Sequence, residues 1–135
     1  MIQRIQTLWL LLAGIAALGT LKLPFYTGLF TDQRFGPLNS LSHFLLLTLA
    51  IGIALICFVS IFLFRNRKLQ IKLGVVAVLL CVAHLIFIYT QTTQFSEGGL
   101  HLLSVVYFAI PVFLLLAIRG IYRDEQLVKD MNRLR

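Results

Sequence analysis

His43, His84 and His101 are the side chains best suited to chemistry in this 135-residue chain. An imidazole within an apolar segment is a natural ligand: two at matched depth can hold a haem iron, and three a metal ion. An ionisable group in such a place is a functional hypothesis in its own right. Spacing argues against the simplest pairing. His84 lies about five residues, roughly 7 Å along a helix, inside Tyr89, whereas His101 opens an apolar segment. The expectation is hydrogen-bonded or interfacial histidines, with His84 pointing inward as the alternative ligand site. Cys57 and Cys81 both fall inside apolar runs, where buried structural thiols are expected rather than a disulfide or metal pair.

A second chemistry is charge recognition. Residues 64–72 read FRNRKLQIK and gather Arg65, Arg67, Lys68 and Lys72 with no acid among them. The C-terminal region adds Arg119, Arg123, Lys129, Arg133 and Arg135. Cations beside anionic headgroups are worth about 1 kcal/mol each when close to the surface. All nine are candidate contacts for lipid headgroups or for a membrane or cytoplasmic protein partner. A phosphorylated ligand is the sharper alternative. Nucleic acid is not expected despite a net charge of +7, because the charge lies where membrane insertion places it anyway.

Catalytic signatures are missing. There is no HExxH, GxSxG, phosphate-binding loop or CxxC. The five acids, Asp32, Glu97, Asp124, Glu125 and Asp130, all lie outside the apolar runs, so a carboxylate relay through a membrane has no carrier. The expectation is a protein that is not an enzyme and uses no cofactor or metal.

The elements that must position these residues are long apolar runs. Hydrophobic residues make up 59% of the chain and charged residues only 13%, about half the share usual in a soluble domain. Leu41 to Phe64 contains one ionisable residue, His43, and Leu73 to Tyr89 only His84. Such runs match the ~20 residues needed to cross a hydrocarbon core about 30 Å thick. Four segments emerge, about 5–23, 41–64, 70–91 and 100–121. Each is expected to be helical because lipid offers no partners for backbone polar groups. Runs such as Leu45-Leu46-Leu47 do not alternate in polarity, which excludes a β-barrel. The expected fold is all-α: one domain, an integral membrane bundle of four antiparallel transmembrane helices. The first segment also resembles a secretory leader, with Arg4, an apolar stretch from Leu8 to Ala17 and a small-residue site; a retained helix is expected.

Charge sets the orientation. Arg4, the four cations of the second loop and the five of the C-terminal region place ten of twelve on one side, leaving Lys22 and Arg34 opposite. Cationic flanks stay preferentially in the cytoplasm, so both termini are expected there. The second loop leaves room only for a tight turn, making the second and third helices antiparallel neighbours.

Smaller features refine this picture. Asn39 or Ser40 is expected to cap the second helix. Gly74, Ala77, Cys81 and His84 form a narrow face on the third helix, as do Ala50 and Ala54 on the second, suited to close packing in lipid. Pro111 is expected to kink the fourth helix. Phe25, Tyr26, Phe30 and Phe35 of the first loop are expected in the headgroup belt, with an ordered outer cap as the alternative. Residues 122–135 are expected to be a basic amphipathic cytoplasmic tail that extends the fourth helix in pattern, in which Leu127, Met131 and Leu134 share one face and Glu125, Lys129 and Arg133 another.

Three strings, MIQRIQT at the start, FLFRNRKLQ across the basic turn and RDEQLVKDMNRLR at the end, resemble a family of small four-helix inner-membrane proteins of Bacteroidota. That family is known only as a domain of unknown function. The resemblance implies a bacterial inner membrane and four spans, and carries no reaction, cofactor or catalytic residue. The combined expectation is a non-enzymatic accessory or scaffold protein that binds partners through its basic turn and tail. The alternative is a small-molecule binder using the bundle interior near His84.

Overall fold

A computed structural model describes residues 3–135. Met1 and Ile2, which open the MIQRIQT string, lie outside the described residues, as does the side chain of Arg4. Among the described residues the chain forms α1 (Gln3–Gly19), β1 (Tyr26–Phe30), β2 (Phe35–Leu38), α2 (Phe44–Phe62), α3 (Arg67–Gln91), β3 (Phe95–Leu100) and α4 (Val105–Arg133). Each helix packs against the next, and α4 closes the ring against α1.

The bundle follows from where each helix is apolar. Buried positions recur at alternating steps of four and three: Gln6, Leu10, Ala13, Ala17 and Thr20 from the first segment, and Leu46, Ala50, Ile53, Cys57 and Ser60 from α2. The same steps give Gln70, Gly74, Ala77, Cys81, His84 and Ile88 on α3 and Tyr107, Ile110, Leu114, Ala117, Ile121 and Asp124 on α4. This is the spacing of knobs-into-holes packing. The middle of the core is small, with Ala13, Ala17, Ala54, Cys57, Ala77, Cys81 and Ala117 among its buried members. Small residues let backbones approach, and packing supplies association energy in lipid. The face expected from Gly74, Ala77, Cys81 and His84 is therefore the inward face of α3, and a β-carbon on Gly74 would stand 2.8 Å from Ile118 of α4.

Three helices, α2, α3 and α4 with their short flanking turns, are long and apolar enough to cross a membrane, and α1 is a shorter apolar helix. The chain is read accordingly as a membrane protein. The helix bounds differ from the expected spans in instructive ways. α1 ends at Gly19 rather than near residue 23, giving way to a turn closed by Leu23 N–H donating to the Gly19 carbonyl at 3.0 Å. α3 begins at Arg67, so Arg67, Lys68 and Lys72 ride on its first turns. α4 continues unbroken through Pro111 and on through the tail to Arg133.

The all-α expectation needs correction. The two loops on the side opposite the basic turn pair into a three-stranded antiparallel sheet of order β2-β1-β3. A mutual approach of two glycines makes this possible. Gly28 and Gly98 are register partners, and a β-carbon on Gly28 would stand 2.6 Å from the Gly98 Cα. Any side chain there would force the strands apart. Phe25 beneath the sheet is buried and meets Tyr107 edge-on at 5.1 Å. Tyr26 and Phe30 pack on Phe95 of β3, at 5.0 and 4.2 Å. Of the four loop aromatics only Phe35 is largely exposed, so this loop is an ordered cap rather than a fringe of belt residues.

The capping expectation for α2 also changes. Its N-cap is His43, without a side-chain cap bond. Asn39 instead stabilises the preceding turn, its Oδ1 accepting from Leu41 N–H and Ser42 Oγ, both at 3.1 Å. Ser40 is turned into the core for a different purpose.

Candidate functional site

The core seam becomes polar at both ends. At the capped end, Thr20, Ser40, His84 and Tyr107 converge from the turn after α1, the loop before α2, α3 and α4, and all are buried. Thr20 Oγ1 donates to the Ala17 carbonyl at 2.7 Å, and Ser40 Oγ donates to Thr20 Oγ1 at 3.1 Å. Ser40 has one hydroxyl proton, so its 3.0 Å contact with His84 Nε2 is one in which the imidazole donates. The Tyr107 hydroxyl lies between the carbonyls of Thr20 and Leu23, at 2.8 and 2.7 Å, and shares its one proton between them. These two carbonyls follow the end of α1, where no helical partner remains for them: Thr20's also accepts from Ser40 N–H at 3.1 Å, and Tyr107 supplies the donor that Leu23's would otherwise lack in a dry site. The layer therefore ties the end of α1 and the cap to the two long helices.

His84, the alternative ligand site, is committed to this layer. The other histidines have separate neighbours. His43 meets Phe87 edge-on at 6.3 Å, and His101 Nδ1 accepts from Leu103 N–H at 3.2 Å. Among the described residues no three His, Cys, Asp or Glu side chains converge on a metal position. Cys57 and Cys81 are free thiols in the small-residue core.

At the opposite end each helix contributes one polar residue to a second layer: Gln6, Ser60, Gln70 and Asp124, all buried. Gln6 Nε2 donates to the Asp124 carboxylate and, at 3.0 Å, to the Gly120 carbonyl. Gln70 Nε2 donates to the Ser60 carbonyl at 3.0 Å. Ser60 Oγ has no hydrogen-bond partner among the described residues. None of these four was legible as a site residue when spans were delimited by hydropathy. The four-and-three seam was the signal, since it runs through all of them.

The basic block sits directly outside this layer. Arg67 Nη1 donates to the Asp124 carbonyl at 2.8 Å, fastening the α2–α3 turn to α4. The two elements enclose a groove of about 570 Å³. Arg65, Arg67 and Lys68 line it from the turn, and Glu125, Val128 and Lys129 from α4. The Glu125 carboxylate is taken up by Lys129 at 2.9 Å, leaving three turn cations facing the groove with no carboxylate paired to them among the described residues.

The structure thus divides the predicted cations into groups. Arg65, Arg67, Lys68 and Lys129 share the turn groove. Arg119 and Arg123 line a second groove between α1 and α4. Lys72 is exposed farther along α3, and Arg133 and Arg135 are exposed at the distal end of the chain.

The family described as Domain of unknown function (DUF4293) matches residues 2–134. The chain belongs to that family. No curated protein and no solved structure matches it. For this DUF4293 chain, residue roles therefore rest on geometry, and that geometry offers two polar layers that hold the bundle together and two cationic grooves beside the one away from the cap.

Proposed function

We propose that this protein is a non-enzymatic accessory component of a bacterial inner membrane that binds an acidic segment of a protein partner in the groove between the α2–α3 turn and the extension of α4. The observation that carries this reading is the shared groove: Arg65, Arg67 and Lys68 face it together with Val128 and Lys129, although the two stretches are about sixty residues apart. Charge complementarity favours carboxylate-rich partners, and the rigid helical wall of α4 orders part of the surface before binding. The exposed Leu127 and Met131 lie on the same helix and Leu134 just past its end, where an apolar flank of a partner would meet them.

The same reading takes α1 as a fourth span. Its 17 residues rise about 26 Å, close to the hydrocarbon thickness, and the turn that follows extends it. Ten of twelve cations then lie on the cytoplasmic side with both termini. Single cysteines in a Cys57→Ala/Cys81→Ala background test this arrangement. Asp32→Cys is expected to react with an impermeant maleimide added outside the inner membrane, and Asn66→Cys and Asn132→Cys only after permeabilisation. Labelling of positions 66 and 132 from opposite sides would refute it.

For the partner, a photo-crosslinker at Val128 in intact cells is expected to capture a discrete protein. Charge reversal at Arg65, Arg67 and Lys68 is expected to abolish that product. If reversal combined with deletion of the tail leaves every co-purifying protein in place, the groove is not a docking site.

A further inference from the structure

The second groove, between α1 and α4, has a different chemistry. It encloses about 290 Å³ and is lined by Ile5 and Trp9 from α1 and by Leu116, Arg119 and Arg123 from α4. Its origin is a close helix crossing. A β-carbon on Gly120 would stand 2.9 Å from Gln6 Cγ, so α1 and α4 meet there because position 120 carries no side chain. The arginines that flank this glycine are one turn apart and share a face, their β-carbons about 6 Å from each other.

Among the described residues no carboxylate neutralises them. Asp124, next in sequence, is turned inward to Gln6, and Glu125 is paired with Lys129. Neither Arg119 nor Arg123 is paired with a carboxylate among the described residues. Two guanidiniums a turn apart suit a phosphate, which each can grip with two parallel N–H donors. The apolar lining, Ile5 and Trp9 of α1 with Leu116 one turn before Arg119, forms a wall that suits a hydrocarbon chain. Trp9 is stacked on Phe113 at 5.7 Å, which fixes its ring, while Ile5 and Leu116 continue into the exposed apolar surface of their helices. A free phosphate has no use for that wall, and a soluble acidic peptide would not reach a surface covered by lipid.

We propose that this groove is a binding site for one anionic phospholipid, its phosphate on Arg119 and Arg123 and an acyl chain over Trp9 and Leu116. The proposal goes beyond the partner reading and requires only that the helices lie in a bilayer.

Trp9 is the only tryptophan in the chain and reports the occupant of the groove directly. Full-length protein would be placed in vesicles of equal parts phosphatidylglycerol and phosphatidylcholine, with bromine on the acyl chains of one lipid or the other. Brominated phosphatidylglycerol is expected to quench Trp9 as though enriched about fivefold over its bulk share, the selectivity of a single well-placed cation. Arg119→Gln/Arg123→Gln is expected to bring the two lipids to parity, with quenching by brominated phosphatidylcholine showing that Trp9 still faces lipid. Arg119→Lys/Arg123→Lys is expected to retain part of the preference. Arg65→Gln/Arg67→Gln/Lys68→Gln, in the other groove, is expected to retain all of it. Equal quenching in the wild type, a preference that survives the double glutamine variant, or one lost equally in the turn variant would each overturn the proposal.

Discussion

Gln6 on α1 and Asp124 on α4 are joined side chain to side chain across 118 positions of sequence. The contact closes the ring of four helices at the end away from the cap, where α1, a shorter helix than the other three, has the least apolar length with which to hold its place. Gln6 also donates to Gly120, so one amide nitrogen satisfies two acceptors on α4. Asp124→Ala is expected to leave that amide partly unsatisfied in a buried site, at a cost of about 1–3 kcal/mol. Thermal or denaturant unfolding in detergent would show it as a lowered midpoint. Asp124→Asn retains an acceptor oxygen and is expected to lose less. A variant as stable as the wild type would mean that the contact does not hold α1.

Ser60 gives the opposite expectation in the same layer. Its hydroxyl is buried and unpartnered among the described residues, while its carbonyl is held by Gln70. Ser60→Ala removes a desolvated polar group and no hydrogen bond. It is expected to be neutral or to raise stability by up to about 1 kcal/mol. Gln70→Ala loses a bond that is made, and is expected to fall on the destabilising side in the same unfolding assay. Should Ser60→Ala prove the more damaging of the two, the hydroxyl has a partner.

The cap depends on two glycines. A β-carbon at Gly98 would lie 2.6 Å from the Thr27 carbonyl oxygen and 2.8 Å from the Gly28 Cα, whereas one at Gly99 would meet nothing within 4 Å. Gly98→Ala is expected to separate β1 from β3 and speed amide exchange across Phe95–Leu100. Gly99→Ala, on the same strand, is expected to leave exchange unchanged. The neighbouring pair makes the test independent of any general effect of alanine in a strand.

Much of the bundle was legible in the residues, and the reasons for the rest are physical. Hydropathy marks residues that prefer lipid, so it located α2 and α3 closely but carried the first segment past Gly19 and stopped the fourth short of Arg133. Packing follows a different signal, the four-and-three seam, and it placed Gln6 and Asp124 in the core although composition put Asp124 in the tail. The inward face of α3 was readable because small residues mark it twice over, by spacing and by size. β3 was not readable. Its sequence FSEGGL has weak strand preference, and it forms a strand because Gly28 and Gly98 permit close pairing with β1, a relation between loops about seventy residues apart. The cations of the turn were visible at once. Their sharing a groove with Glu125 and Lys129 was not, because it depends on how far α4 continues and on the phase in which it leaves the bundle.

His84 decides between a structural layer and a ligand site in the bundle interior. Its Nε2 donates to Ser40, whose own proton is passed to Thr20, so the imidazole anchors a chain of hydrogen bonds ending at the Ala17 carbonyl of α1. His84→Ala removes the donor and leaves a cavity in a packed layer. Hydrogen bonds between membrane helices average roughly 0.6 kcal/mol and reach about 1.7. With the cavity added, a loss of about 2 kcal/mol is expected. Because the layer ties the cap to the helices, amide exchange in β1 and β3 is expected to rise as well. His84→Gln, whose amide can donate to the same hydroxyl, is expected to recover part of both. The visible spectrum and native mass of the purified protein are expected to be the same before and after substitution. A variant with unchanged stability and exchange, but with a lost absorbance band or a lost bound mass, would show that the imidazole serves a ligand and not the layer.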